Sequence, residues 1–179
     1  ARELSEAEAG SLLFDLAVSG NDPTAYLLGN AVLALVQHPE QAEVLRARPE
    51  LIAGAVDEVA RYDSPVHMLM RVAAQDVDLA GQRVRAGDAV FAMVASANRD
   101  AAQFEAPDVF DVTRGGRAHL AFGIGTHHCL GAPIARIEVE VVLEGLLRRF
   151  TSLRLAPLGL TRTPDFEMRG PSRLAILAE

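Results

Sequence analysis

This sequence has only one cysteine and no lysine, and all 17 of its basic residues are therefore arginines. A single cysteine excludes an internal disulfide, and nothing therefore indicates an oxidising compartment. The most apolar stretch, Ala25 to Val36, is too short for a membrane span and is interrupted by Asn30. The N-terminus has no secretory signal pattern. We therefore expect a cytoplasmic protein that does not enter a membrane.

Composition places the chain among ordinary globular proteins. Its 179 residues are 50% hydrophobic and 23% charged, which predicts one domain over residues 1–179 with a substantial core. The formal net charge is −7, and no basic block occurs. Nucleic acid is therefore excluded as an expected partner.

The N-terminal segment has the pattern of one long, interrupted helix. Ser5 and Glu8 form a capping-box pattern, which predicts a helix that begins near Ser5. Pro23 has no amide proton and would clash with the preceding turn, so a kink is expected there. Asp22 and Pro23 also match a helix cap followed by the first helical residue. We predict a central kinked helix over residues 5–38.

The rest of the chain alternates between helical patterns and turn-rich segments. We predict a short helix 40–48, a helix 50–62, short strands with tight turns 66–95, an irregular loop 98–116, a cysteine loop 122–131, an amphipathic helix 132–150, and short strands and loops beyond it. These elements predict a mainly α fold with small β-sheets, of the α+β class.

The lone cysteine, Cys129, directly precedes the predicted helix 132–150. Backbone amides and the helix dipole favour a negative charge at such a position. Two glycines before Cys129 allow the backbone to approach a flat ligand closely. The ordinary interpretation of a lone cysteine is a buried small hydrophobe. A zinc site lacks a second cysteine pair, and a nucleophile activated by His127 or His128 lacks an evident third group to orient the base.

The cysteine loop carries a resemblance to a known family. The residues that match the haem-ligand signature of the cytochrome P450 family, position for position, are Phe122, Gly123, Gly125, His127, Cys129 and Gly131. The match continues through Ala132 and Ala135–Arg136. The chain resembles the C-terminal haem-binding half of a soluble bacterial, actinobacterial-like member. This implies the C-terminal portion of that fold with the N-terminal half absent, haem b (iron protoporphyrin IX) as cofactor, and Cys129 as the iron ligand.

Two further features fit the resemblance. Glu58 and Arg61 stand three residues apart on a predicted helix, where they can pair, although most such pairs are solvated surface charges. In the family this pair is buried and ties the core to the irregular loop. Arg71 and His119 match positions that contact the haem propionates through charge-assisted hydrogen bonds. Their alternatives are a surface arginine on a strand and a satisfied buried histidine.

The helix break near Gly20 resembles the family's central helix, whose kink makes room for dioxygen above the iron. Asp22 stands at the usual acid position, but Pro23 occupies the position of the usual threonine, and Thr24 follows it. Three alternatives stay open for proton delivery to oxygen: Asp22, water or Thr24 carries the protons; substrate hydroxyls do so; or oxygen activation is weak and the protein uses peroxide or does not turn over.

The resemblance implies a haem-thiolate monooxygenase that inserts one oxygen atom from O2 into a small organic substrate. Electrons would come from a ferredoxin or a flavoprotein reductase, docked through Arg114 and Arg117. The expected pocket walls are 66–69 and 166–168, with Val66, Leu69 and Phe166 as the candidate contacts.

Other interpretations remain for the chain as a whole. It could be a peroxide-dependent haem enzyme. It could also be a non-catalytic P450-like auxiliary protein that binds a partner, a separate N-terminal half or a second copy of itself. An exposed apolar patch on the first helix pair would favour this partner-binding interpretation.

Overall fold

The structure is a computed structural model that describes residues 3–115 and 118–179. Its helices are α1 (Glu6–Ser19), α2 (Asp22–Gln37), α3 (Pro39–Ala47), α4 (Ile52–Tyr62), α5 (Val94–Ala97) and α6 (Ala132–Arg149). Its strands are β1 (Leu69–Val72), β2 (Val77–Leu79), β3 (Gln82–Val84), β4 (Ala89–Ala92), β5 (Leu153–Arg162) and β6 (Pro171–Ala178), and single 3₁₀ turns occupy Pro49–Leu51 and Gly125–His127.

The predicted capping box is formed at the start of α1. The Ser5 hydroxyl accepts a hydrogen bond from the Glu8 amide at 3.3 Å, and the Glu8 carboxylate accepts one from the Ser5 amide at 2.9 Å. Helix α1 ends at Ser19 and α2 begins at Asp22, so the helix is interrupted where Pro23 predicted a kink. The expectation that Asp22 caps α2 is wrong by one residue. Asn21 is the cap, and Asp22 is the first helical residue.

The strands form three separate two-stranded antiparallel sheets, β1–β4, β2–β3 and β5–β6, among the described residues. The β5–β6 pair is longer than the short strands that were expected, and its register shifts between Leu155 and Leu160. The strand expected at Val94 is also wrong, because β4 pairs with β1 only as far as Leu69↔Ala92 and the chain then turns into α5.

The main core lies between α2, α4 and α6. Each helix contributes a stripe of side chains that are at most 1% exposed, such as Leu35, Val56 and Leu143. The buried stripe of α4 also carries Glu58 and Arg61, which are therefore held against the core. This packing fixes α4 and α6, the two helices that flank the cysteine loop.

Several apolar surfaces remain uncovered. No residue of α1 is buried, and Leu13 and Phe14 are each 68% exposed. On α6, Ile134 is 64% exposed and Val141 is 61% exposed. The apolar patch that would favour a partner-binding protein is therefore present on α1. Within the described residues, no helix is both long enough and apolar enough to cross a membrane.

Replacing Asn30 by alanine is expected to lower the free energy of unfolding by about 2 kcal/mol, because two partly buried hydrogen bonds of a buried side chain are lost. The Asn30 side-chain amide donates to the carbonyl oxygen of Asp63 at 2.9 Å and to that of Arg169 at 3.1 Å. It thereby joins α2 to two segments distant in sequence. Urea unfolding measures the change. Asn21→Ala is the control, since Asn21 makes no side-chain cap bond. Equal losses in both variants would contradict this account.

Candidate active site around Cys129

The cysteine loop, residues 122–131, folds back on itself before α6. The Cys129 amide donates to the Phe122 carbonyl at 2.8 Å, and the His128 amide donates to the Gly125 carbonyl at 3.0 Å. Gly123 and Gly125 have φ of +71° and +73°, a conformation that favours glycine. The glycines are thus needed for the turns of the loop itself. The result is a rigid hairpin-like loop that presents Cys129 at the start of α6.

The thiol of Cys129 is exposed and unpaired, so the interpretation of a buried small hydrophobe is wrong. The loop also carries two open apolar side chains: Ile124 is 79% exposed and Leu130 is 84% exposed. A Cβ added at Gly131 would lie 3.9 Å from the Cys129 sulfur, at ordinary van der Waals contact, so Gly131 lies directly beside the thiol. The loop therefore offers one soft ligand on an apolar surface.

The single thiol of Cys129 suits haem better than a bare metal ion. In the described part of the chain, no group of three or more His, Cys, Asp or Glu side chains could hold a metal ion. A haem iron would carry nitrogen ligands from its own porphyrin and would require a further ligand from the protein, which Cys129 would supply. A single exposed thiol between open apolar side chains meets that requirement.

Glu58 and Arg61 form a buried, two-pronged ion pair, with side chains that are each 1% exposed. Arg61 Nε lies 2.7 Å from Glu58 Oε2, and Arg61 Nη2 lies 2.9 Å from Oε1. The remaining donors of Arg61 reach the carbonyl oxygens of Asn98 (2.9 Å), Pro107 (2.8 Å) and Val109 (3.2 Å). The pair thus joins α4 to the irregular loop, and the interpretation as a solvated surface pair is wrong.

Arg114 is the third member of this network. Its Nε lies 3.2 Å from Glu58, its side chain is only 10% exposed, and its guanidinium also donates to the carbonyls of Glu105 and Ala106. The expectation that Arg114 forms part of a docking surface is therefore wrong, because its charge is already satisfied inside the protein. Arg117, the other expected docking residue, lies outside the described residues.

His119 has a partner on each ring nitrogen. Its Nε2 donates to Asp57 Oδ1 at 3.2 Å, and its Nδ1 accepts from the Ala121 amide at 3.1 Å. Its side chain is 4% exposed. The structure therefore has the satisfied buried histidine that was one of the two alternatives. A propionate contact would require His119 to give up one of these bonds, and that contact stays a prediction.

Asp57 was not singled out by the sequence, although it precedes Glu58 directly. Its Oδ1 accepts from Arg136 Nε at 2.8 Å as well as from His119. Burial alone would raise the pKa of Asp57, but the hydrogen bonds from His119 and Arg136 outweigh it, so the pKa lies below its ordinary value. Asp57 is consequently a charged hub between α4, α6 and the segment that leads to the cysteine loop.

The candidate pocket walls lie side by side. Val66 forms an antiparallel bridge with Met168, and the His67 amide donates to the Glu167 carbonyl at 2.8 Å. Phe166 is 76% exposed, whereas Val66 and Leu69 are half-buried. Their sequence positions, about 100 residues apart, did not require this contact.

The other candidate residues are more isolated. Arg71 is exposed on β1, and its guanidinium donates to the carbonyl of its neighbour Met70 at 2.8 Å. Asp22 is exposed and Thr24 is half-buried on the first turn of α2. Across residues 3–115 and 118–179, no side-chain hydrogen bond or ion pair connects the first turn of α2 to the cysteine loop.

Replacing Asp57 by asparagine is expected to lower the free energy of unfolding by about 1 kcal/mol at pH 7, since two partly exposed charge-assisted bonds are weakened. The lowered pKa of Asp57 means that its contribution is present above pH 3.8 and is lost as the pH falls through the folded-state pKa. The difference between the two proteins should therefore shrink toward pH 3, as measured by urea unfolding across that range. A difference that is constant with pH would contradict this assignment.

Comparison with known proteins supports the resemblance. The sequence profile of the family described as Cytochrome P450 matches residues 1–170. The chain is 44% identical over 177 residues to the biotin biosynthesis cytochrome P450 of Bacillus subtilis (strain 168), which covers 99% of this chain and 45% of that protein. It is 43% identical over 176 residues to cytochrome P450 105C1 of a Streptomyces species, covering 97% of this chain and 46% of that protein. The chain spans slightly less than half the length of these relatives.

Solved structures agree with these matches. P450BioI in complex with an acyl carrier protein ligated to hexadec-9Z-enoic acid is 44% identical with a TM-score of 0.94, covering 99% of this chain and 46% of that one. CYP109E1 from Bacillus megaterium in complex with corticosterone is 36% identical with a TM-score of 0.92, covering 98% of this chain and 48% of that one. The predicted fold class is confirmed.

Proposed function

The chain belongs to the cytochrome P450 family, and on that premise we propose that it is the C-terminal haem-binding part, over residues 1–179, of a cytoplasmic haem-thiolate monooxygenase. Such an enzyme inserts one oxygen atom from O2 into a small organic substrate. The family implies a haem cofactor, and we assign haem b. The observation that carries the proposal is the exposed, unpaired thiol of Cys129 at the start of α6, in a loop held by left-handed glycines.

The residues of this chain divide the work of holding the cofactor. The Cys129 thiolate binds the iron, and the cradle around it comprises Phe122, Gly123, Gly125, His127 and Gly131. Arg71 and His119 would bind the propionates, Arg71 from an exposed strand and His119 through Nδ1 after release of the Ala121 amide, with its Nε2 bond to Asp57 retained. When bound, haem supplies the activation of dioxygen, which a thiolate ligand favours.

Proton delivery falls to the break between α1 and α2. Pro23 has no hydroxyl, so the usual threonine cannot serve here. We assign the role to Asp22, with Thr24 or water completing the path, because Asp22 is the acid on the first turn after the break. Substrate hydroxyls, or the use of peroxide in place of O2 and electrons, are the alternatives.

Asp22→Asn is expected to slow O2-dependent product formation by about tenfold to a hundredfold, the range of general acid–base effects. Turnover driven by peroxide should change little, since peroxide already carries the protons. Product formation with each oxidant is the measurement, and Asp15→Asn on the exposed face of α1 is the control. If Thr24→Val slows the O2 reaction and Asp22→Asn does not, Thr24 holds the role. A wild-type protein that works only with peroxide would support the peroxide-dependent enzyme.

The substrate pocket would be formed in part by Val66, Leu69 and Phe166, on two segments that touch each other. Exposed Phe166 and the half-buried Val66 and Leu69 present apolar surface. One relative is named for biotin biosynthesis and a further one, PksS of Bacillus subtilis (strain 168), for polyketide biosynthesis; both names support a natural product or another small apolar molecule as substrate. A ferredoxin or flavoprotein reductase would deliver the electrons.

The test is an absorbance spectrum of the purified protein with haem added, reduced and exposed to carbon monoxide. Thiolate ligation moves the Soret band far to the red, and that band is the expected result. Failure to take up haem, or a band typical of histidine ligation, would contradict the proposed function for this chain. The measurement should be repeated in the presence of any separate N-terminal half.

A second candidate function rests on the uncovered apolar side chains of α1. A protein of this fold without catalysis would use that face to bind a partner or a second copy of itself. Sedimentation of the purified chain separates the two candidates. A stable dimer that takes up no haem would favour the auxiliary protein, whereas haem uptake with the red-shifted band favours the enzyme.

A further inference from the structure

One carboxylate oxygen on α4, the helix that carries Glu58 and Arg61, connects this helix to the segments before and after the cysteine loop. Asp57 Oδ1 on α4 accepts a hydrogen bond from Arg136 Nε at 2.8 Å and from His119 Nε2 at 3.2 Å. Arg136 is the fifth residue of α6, the helix that directly follows the loop. His119 lies three residues before Phe122, where the loop begins. Asp57 therefore fixes the separation between the segments that enter and leave the loop.

The two partners of Asp57 both lie against the ring of Phe122. The Arg136 guanidinium carbon lies 4.4 Å from the ring centroid, and the His119 ring centroid lies 5.8 Å from it. A cation this close to an aromatic face is attracted to it. Phe122 is in turn the residue whose carbonyl accepts the Cys129 amide, at 2.8 Å. A continuous series of contacts thus runs from Asp57 to the backbone of Cys129.

We propose that Asp57 is the positioning residue for Cys129: it holds Arg136 and His119 against Phe122, and Phe122 sets the backbone position of the thiol. The inference rests on the proposed function, since it concerns the residue assigned to bind the iron. In this proposal Asp57 acts on Cys129 through Arg136, His119 and Phe122. Removing the Asp57 carboxylate would leave Arg136 and His119 without their shared hydrogen-bond acceptor. Arg136 would then no longer be held on the face of the Phe122 ring.

Asp63 provides a matched control. It lies just after the same helix, its side chain is 22% exposed against 20% for Asp57, and it pairs with an arginine, Arg162, at 3.2 Å. Its side-chain partner lies on β5 rather than next to the cysteine loop. An effect common to both aspartates therefore reports a general loss of stability, and an effect confined to Asp57 reports positioning of the loop.

The first measurement is amide hydrogen exchange in the haem-free protein. Asp57→Ala is expected to speed exchange of the Cys129 amide about tenfold relative to Asp63→Ala, because the bond to the Phe122 carbonyl opens more often. The Leu143 amide in the core reports global opening and should change equally in both variants. A Cys129 amide that exchanges alike in both variants overturns the proposal, whether or not the protein binds haem.

The second measurement is the spectrum of the reduced carbon monoxide complex. Asp57→Ala should lose part of the red-shifted band and release haem several-fold faster, whereas Asp63→Ala should keep both properties of the wild type. Asp57→Asn retains an oxygen at the Oδ1 position and should give intermediate values, which also covers the case in which Asp57→Ala does not fold. A full band and unchanged haem release in both Asp57 variants would overturn the proposal. A wild-type protein without the band would instead contradict the proposed function and leave amide exchange to decide on Asp57.

Discussion

Cys129→Ser is expected to abolish the red-shifted band of the reduced carbon monoxide complex and to reduce O2-dependent product formation to background. A serine hydroxyl is not ionised at neutral pH and is a poor ligand for a soft iron centre, so the charge that favours O–O cleavage is lost. No second cysteine exists to replace it. Because Cys129 is exposed, the substitution leaves no buried cavity, and the fold should be retained.

The control for this substitution is His128→Ala, directly beside the ligand. His128 is exposed and lies outside the matched signature, so its removal should preserve the band. Circular dichroism and urea unfolding verify that both variants are folded. A Cys129→Ser protein that keeps a red-shifted band and normal turnover would exclude Cys129 as the ligand. Loss of the band in both variants would show that the band depends on the folded loop as a whole and not specifically on the Cys129 thiolate.

Glu58→Gln is expected to lower the free energy of unfolding by about 3–5 kcal/mol, the usual cost of removing one partner from a buried ion pair. Two guanidinium groups depend on Glu58: Arg61, whose side chain is 1% exposed, and Arg114, whose side chain is 10% exposed. Glutamine matches the shape of glutamate but removes the carboxylate charge to which both guanidinium groups bond. Glu58 also accepts from the Asp111 amide at 3.0 Å, so the irregular loop should loosen as well.

Glu43→Gln is the matched control for Glu58→Gln. Glu43 pairs with Arg46 at the same three-residue spacing on a helix, but its side chain is 68% exposed. Exposed pairs contribute little, so the expected loss is at most about 0.5 kcal/mol. Urea unfolding of both variants measures the difference. Similar losses would show that burial of the Glu58 pair does not determine its energetic contribution.

Local patterns were sufficient for much of this fold. The capping box at Ser5 and Glu8, the helix break before Pro23 and the turn at the cysteine loop all depend on residues within a few positions of one another. These features depend on local backbone geometry and hydrogen bonding, which are determined by neighbouring residues in the sequence. The cysteine loop was also identifiable because its signature is short and contiguous.

Contacts between distant segments were not visible in the same way. The sequence showed that Glu58 and Arg61 could pair, but not that Arg114, 56 residues away, would join them, and so Arg114 was wrongly placed on the surface. Asp57 lies 79 residues from Arg136, and no periodic pattern links the two. The packing of α4 against α6 brings Asp57 to Arg136, and the irregular loop brings Arg114 to Glu58 on α4. Neither arrangement is visible in a single sequence.

Arg61 contacts the irregular loop in a way that does not depend on the side chains of the three residues it bonds. All three of its bonds to that segment go to main-chain carbonyl oxygens, which every amino acid possesses. Exposed positions such as Ala101, Gln103 and Glu105 could therefore be diversified in a library without breaking this anchor. Other positions of the loop are restricted by their own side chains. Asn98 is buried and bonds to Ser64 and to the Leu120 amide, and Phe104, Phe110 and Val112 are at most 5% exposed. The positions open to variation are therefore the exposed ones between these fixed residues.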